Sequence, residues 1–196
     1  GSDVAACQTT AKRVGDDLVI NGQKMWITNA FQADWMCLLA NTSEGSCNTV
    51  YIEKHVRRFF SLVHSNKSLI CLPMSTPGIH LHKRIDKMGM RASDTAVIYL
   101  DDVRVPAKNI IGEPGMGFTY QMLQFQEERL ACAALSMQPM DNIIAETIEY
   151  LKQRKAFGQP LLNNQYIHFK LAELMTEVEM LRAGLYRATD QHVAGE

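Results

Sequence analysis

Short apolar runs separated by turn residues fill the first half of this chain, and long helical periodicities fill the second. Residues 18–20, 23–28, 35–40, 68–72, 79–82 and 96–100 alternate apolar with polar side chains, or are continuously apolar over a few residues, as strands do. Gly15 with Asp16, Asn21 with Gly22, and Pro77 with Gly78 punctuate them. Asn21 and Gly22 both tolerate positive φ, so they predict a tight hairpin turn. Many short strands with such breaks predict an antiparallel sandwich or barrel.

Around Val105 and Pro106 the texture changes. Pro106, Gly112, Pro114, Gly115 and Gly117 make a linker, and helix formers dominate after it. Ile167, Leu171, Leu174, Val178, Leu181 and Leu185 recur in steps of four and three, which predicts a helix over 164–188 with a seam for packing lengthwise on other helices. Residues 118–150 predict one long helix or two, because Pro139 in the middle removes a backbone donor and kinks a helix. The fold class is therefore α+β: an antiparallel β-barrel or sandwich followed by part of an up-down helical bundle. Residues 1–112 would form the first domain and 113–196 the second. Residues 47–63 read as an insert, in which Val56, Phe59, Phe60 and Val63 would line one side of a brief amphipathic helix or lie in a long surface loop.

Composition narrows the function classes. The chain has 196 residues, 46% of them hydrophobic, and a formal net charge of −1, so nothing marks a nucleic-acid surface. No apolar run approaches the roughly 20 residues that span a bilayer. The five cysteines (Cys7, Cys37, Cys47, Cys71 and Cys132) are scattered and lack metal-type spacing, and read as reduced thiols of an intracellular protein. His80 and His82 share a strand face without a third ligand nearby, so no metal site is expected.

Four segments carry more information than composition: GSDVA at 1–5, NGQKMWITN at 21–29, KMGMRASDT at 87–95 and RKAFGQPL at 154–161. LDDVRVP at 100–106 and the Gln165 to Leu174 stretch lie between and after them. In order and spacing, the 47–63 insert aside, this set resembles the acyl-CoA dehydrogenase family. The first residues fall inside the first motif, so the chain reads as an internal piece of a family member. It would comprise most of the middle β domain and the first helices of the carboxy-terminal bundle.

The resemblance implies FAD, held between those two domains. Gly1 and Ser2 match the loop that touches flavin and acyl-CoA. Trp26 and Ile27 match the strand beside the isoalloxazine ring, and Thr28 the hydroxyl that bonds its N5 nitrogen. Arg154, Phe157 and Gln165 match positions that reach a neighbouring subunit's flavin, for which the forked, permanently charged guanidinium of Arg is suited. That implies a homo-oligomer, a dimer of dimers.

The resemblance also implies a base. Phe125-Gln126-Glu127-Glu128-Arg129-Leu130 matches the setting in which isovaleryl- and long-chain-type members carry the catalytic Glu. Glu128 would take the α-proton, Arg129 would lie near the CoA chain, and Phe125 and Ser2 would touch substrate. Burial in an apolar pocket would raise the pKa of such a Glu. From residues alone, Glu127 and Glu128 also read as surface carboxylates of a helix. Leu135 and Gln138 stand where the family usually has small residues after the base, and Pro139 falls on an ordinary helical position.

The implied activity is oxidation of a fatty or branched acyl-CoA to the trans-2-enoyl-CoA, with electrons passed to an electron-transfer flavoprotein. The implied location is the mitochondrial matrix if the source is eukaryotic and the cytoplasm if bacterial. Two alternatives stay open: an inactive chain acting at most in subunit assembly, and a flavin-dependent acyl-CoA oxidase relative.

Overall fold

The computed structural model describes residues 3–42, 48–50, 62–64 and 66–195. They divide between Leu123 and Gln124 into two compact units, a β unit and a helical unit. Each is described by itself.

The β unit is built on a seven-stranded sheet. Its strands are β1 (Thr10–Val14), β2 (Asp17–Thr28), β3 (Trp35–Asn41), β6 (Lys67–Pro73), β7 (Ile79–Arg84), β8 (Thr95–Pro106) and β9 (Ile110–Ile111). They lie in the order β7-β8-β2-β1-β3-β6-β9. All neighbours are antiparallel except β1 and β3, which touch in parallel through Thr10 and Asn41. A separate antiparallel pair, β4 (Asn48–Val50) with β5 (Leu62–His64), lies between β3 and β6 in the chain. Val63 therefore sits in a strand, and Val56, Phe59 and Phe60, read as either a brief amphipathic helix or a surface loop, lie outside the described residues.

One expectation is overturned. Asn21 and Gly22 make no hairpin turn; β2 runs straight through them. The turn is Gly15 with Asp16, between Val14 and its partner Asp17. What Asn21 and Gly22 mark is an irregularity against β8. There Ile20 opposes Val103 and Gly22 opposes Leu100, leaving Asp101 and Asp102 opposite Asn21 alone. The Asn21 side chain donates to Asp102 Oδ1 at 2.9 Å and accepts from its backbone N–H at 2.9 Å, with Asp102 at φ +47°. Gly22 is required for a different reason: a Cβ there would meet the Thr9 backbone at 2.9 Å.

That extra residue keeps the core on one side. Ala96, Ile98 and Leu100 are buried at alternate positions of β8, and after the bulge so are Val103 and Val105. An uninterrupted strand would turn both valines to the opposite face. With Ala11, Leu18, Ile20, Leu38, Ala40, Ile70 and Leu72 they form one apolar cluster.

The helical unit is a hairpin. α1 (Gly117–Gln153) begins in the β unit and continues past the division; α2 is Gln165–Ala194. α1 is a single helix through Pro139, which is exposed, while Met137 and Leu151 on its opposite face are buried. α2 starts at Asn164, whose side chain accepts from the Tyr166 N–H, and stops at Gly195 at φ +75°. Arg182 on α2 grips Asp141 on α1 with two hydrogen bonds, 2.7 and 2.9 Å. Of the expected α2 seam, Leu171 and Val178 are buried, whereas Leu174 and Leu181 are 38% and 46% exposed and line an open apolar groove with Met140 and Ile144.

The turn at Gly78 in the β unit offers a test. Gly78 has φ +91°, and a Cβ there would lie 2.3 Å from the Asp101 carbonyl oxygen. Gly78→Ala should destabilise the β unit by about 2 kcal/mol or more, read as a lower urea midpoint; an unchanged midpoint contradicts the packing described.

Candidate functional site

A second bulge, in β2, decides which side chains the β unit offers to a ligand. Lys24 opposes Ile98 and Ile27 opposes Ala96, so three residues of β2 span two of β8. The residue at this step is Trp26, with φ +63°. A bulky L-residue in that region is strained by roughly 1–3 kcal/mol. The slip has a clear effect on facing. Ile27 joins the core cluster, while Trp26 is 58% exposed and Thr28 is exposed beside it. In a regular strand Trp26 would follow Leu18 and Ile20 inward. No hydrogen-bond partner holds the Thr28 hydroxyl among the described residues.

The strand end is braced from below. Asn29, at φ +61°, starts a turn that returns the chain to β3, and its N–H donates to the Asp94 carbonyl at 3.1 Å. The Asp94 side chain is buried and accepts from the Phe31 N–H at 2.8 Å and from Gln32 Nε2 at 2.9 Å. The Phe31 N–H is the largest influence holding the Asp94 carboxyl below the usual carboxylate range; burial opposes it, and Gln32 and the Arg84 guanidinium add to it. Arg84 also stacks over the Phe31 ring, 5.1 Å from its centroid. Asp94 was missed as a site-building residue in the sequence, although it lies in the KMGMRASDT segment. An acidic side chain between Ser and Thr carries no sign that it will be buried under a turn sixty residues away.

In the helical unit a second aromatic shows the same strain. After α1, β10 (Lys155–Ala156) pairs with β11 (Gln159–Pro160) across a two-residue turn, Phe157 and Gly158. Both have positive φ, +53° and +80°, the geometry in which Asn followed by Gly is the ordinary choice. Phe157 is fully exposed. Arg154 and Gln165 are exposed at either end of the segment joining the helices, and the Leu161 N–H closes it by donating to the Arg154 carbonyl at 2.8 Å.

Glu127, Glu128 and Arg129 are all exposed on α1, and Phe125 is half-buried. The Arg129 guanidinium lies over the Phe125 ring, 5.6 Å from its centroid. Neither Glu forms an ion pair or hydrogen bond among the described residues, so Glu128 is not held by a neighbouring turn. Gly1 and Ser2 lie outside the described residues. Among the described residues no three His, Cys, Asp or Glu side chains cluster as metal ligands, and no helix is long and apolar enough to cross a membrane.

Chemically, the β unit offers an exposed indole beside an open hydroxyl. The helical unit offers an exposed phenyl and an exposed guanidinium on one segment, and an open carboxylate on another. An aromatic plane with a hydroxyl suits a flat heteroaromatic ring, and an Arg with an aromatic suits a phosphate-bearing adenosine. The residues present fit a flavin dinucleotide.

Comparison with known proteins agrees in both units. The family model described as acyl-CoA dehydrogenase, middle domain, matches residues 1–103, and that described as acyl-CoA dehydrogenase, C-terminal domain, matches residues 115–196. The mouse mitochondrial short-chain specific acyl-CoA dehydrogenase is 37% identical over 188 residues, covering 96% of this chain and 42% of that protein. The mouse long-chain specific enzyme is 37% identical over 183 residues, covering 93% of this chain and 39% of that protein. The crystal structure of a probable acyl-CoA dehydrogenase from Mycobacterium abscessus superposes with a TM-score of 0.87 at 34% identity, covering all of this chain and 48% of that one. The chain thus spans less than half the length of the relatives it matches.

The Asp94 brace gives a pH dependence. Its folded pKa is depressed, so its stabilisation is complete above the unfolded value and fades as pH falls through the folded one. The stability gap between wild type and Asp94→Ala should be constant near neutral pH and shrink below about pH 4, as read by urea unfolding. A gap unchanged down to the acid transition argues against the brace.

Proposed function

This chain belongs to the acyl-CoA dehydrogenase family, and on that premise we propose that the protein containing it oxidises a fatty or branched acyl-CoA thioester to the trans-2-enoyl-CoA with FAD. The observation that carries the reading is the strain held at Trp26 and Phe157. Two exposed aromatics in left-handed backbone gain nothing for the fold and present flat surfaces to a ligand.

In this reading Trp26 would cover one face of the flavin ring and Thr28 would donate a hydrogen bond to it, while Ile27, expected beside the ring, instead packs on the core and supports the strand from the buried side. Gly1 and Ser2 close the loop over flavin and substrate. Arg154, Phe157 and Gln165 serve the flavin of a neighbouring copy, which makes the assembly a homo-oligomer arranged as a dimer of dimers. Glu128 is the base. Its carboxylate takes the proton from the thioester α-carbon, and the electron pair of that C–H bond becomes the new α,β double bond. Bound flavin supplies the acceptor for the β-hydrogen, which leaves with its electrons. Arg129 and Phe125 line the path of the CoA chain. Electrons then pass to an electron-transfer flavoprotein. The domain boundary lies near Gly112, and the setting is the mitochondrial matrix in a eukaryote or the cytoplasm in a bacterium.

One observation favours a second reading, in which the chain by itself acts at most in subunit assembly. Leu135, Ile143 and Met180 on the two helices are 76%, 62% and 71% exposed, as expected of an interface awaiting partners.

The test uses flavin-loaded protein containing this chain, mixed anaerobically with a saturated acyl-CoA. The flavin absorbance should bleach, and Glu128→Gln should slow bleaching by about 10²–10⁴-fold while leaving flavin bound. Equal rates in the variant would remove Glu128 from the role. Protein that takes up no flavin on loading yet still joins longer subunits would support assembly alone.

A further inference from the structure

The cysteines of the β unit contain an arrangement that the flavin reading does not use. β3 and β6 pair antiparallel, and Cys37 stands directly opposite Cys71. Opposed residues in such a pair alternate between those that exchange hydrogen bonds and those that do not, and the phase can be fixed here. The Met74 N–H donates to the Asp34 carbonyl at 2.9 Å, and the Thr42 N–H donates to the Asn66 carbonyl at 2.7 Å. Those bonds flank the pairs Trp35 with Pro73 and Asn41 with Lys67, which are therefore non-hydrogen-bonded. Counting by twos puts Cys37 and Cys71 in the same class. The Cys71 carbonyl agrees: it accepts from Asn109 Nδ2 at 3.0 Å, outside the β3 pairing.

In this class the Cα atoms stand about 4.5 Å apart with side chains on the same face, inside the range a disulfide spans. Both thiols are free; Cys37 is exposed and Cys71 half-buried. Burial, and after it the neighbouring Cys71, push the Cys37 thiol up, as expected of two sulfurs sharing one patch.

We propose that Cys37 and Cys71 form a dithiol oxidation site that closes to a cross-strand disulfide by exchange with a small-molecule disulfide such as oxidised glutathione. The exposed Cys37 thiolate attacks one glutathione sulfur, forming a mixed disulfide and releasing one glutathione thiolate. The Cys71 thiolate then attacks the Cys37 sulfur and releases the second. Two protein thiols are oxidised, one glutathione disulfide is reduced, and the two protons end on the released glutathiones. The bond ties the strands that bracket residues 42–66. Exposed disulfides are the readily reduced ones, and Cys37 is exposed, so the site is reversible.

The experiment equilibrates the full chain with oxidised and reduced glutathione at increasing ratios, traps thiols with an alkylating agent, and maps linked peptides by mass spectrometry. A peptide joining Cys37 to Cys71 is expected, with an intact-mass loss of two hydrogens and an upward shift in the thermal midpoint. Dithiothreitol should reverse all three. Cys132→Ser should leave the link intact, and Cys37→Ser or Cys71→Ser should each abolish it while the circular dichroism spectrum is unchanged. With Trp26→Phe leaving Trp35 as the sole indole, emission should fall on oxidation because Trp35 lies two residues from Cys37 on the same strand face. Glutathione adducts without the link, or a link from either cysteine to Cys7, Cys47 or Cys132, would overturn the assignment.

Discussion

The extra residue in β2 between Lys24 and Ile27 is the constraint on which the β unit's chemistry depends. Strand periodicity is two, so inserting one residue exchanges inside for outside from that point on. Here the exchange sends Ile27 to the core cluster and leaves Trp26 in the open at φ +63°. A second irregularity, at Asp101 and Asp102 of β8, performs the same service for the fold, returning Val103 and Val105 to the buried side. The two bulges differ in what they cost. Asp102 is secured by two hydrogen bonds with Asn21, and short polar residues enter the left-handed region readily. Trp26 has no such excuse, and its strain has to be held by the pairing on either side and by the Asp94 brace below it.

The same trade is made in the helical unit, where the Phe157 and Gly158 turn puts an aromatic at a position suited to Asn. Strain at a fully exposed residue adds nothing to stability, so it is expected where a surface is reserved for a ligand. The unit's other surfaces point the same way. The Arg182–Asp141 grip and the buried Leu171 and Val178 hold the two helices together, while large apolar side chains elsewhere on both remain open.

Much of this was legible in the sequence, for reasons that differ by element. Most strands of the sheet announced themselves by period two or a short apolar run, β1 with its buried Ala11 being missed, and α2 by its seam, because burial on one face leaves a periodic trace. The Asn21 and Gly22 pair misled, since positive-φ tolerance serves a bulge as well as a hairpin; only the partner strand decides which. Pro139 left one helix or two open, and the structure shows one, with Pro139 on its exposed side. The candidate site residues were singled out through motif resemblance alone. The exposure of Trp26, Thr28 and Phe157 has no periodic signature, because it depends on a register slip and a turn type. Asp94 could not be read at all, its role being set by a turn far away in sequence. The carboxylate of Glu128 is exposed in this chain, and nothing in its local pattern separates a base from a solvated Glu.

The claim that strain at the two aromatics is kept for flavin rather than for folding is tested most directly by measuring unfolding free energy and FAD affinity together for Trp26→Gly and Phe157→Asn. Both substitutions suit the observed backbone. The account predicts stability equal to wild type or higher by about 1 kcal/mol, with FAD binding weakened at least tenfold in each. Lower stability with unchanged FAD affinity would contradict it, and would make Trp26 and Phe157 ordinary structural residues.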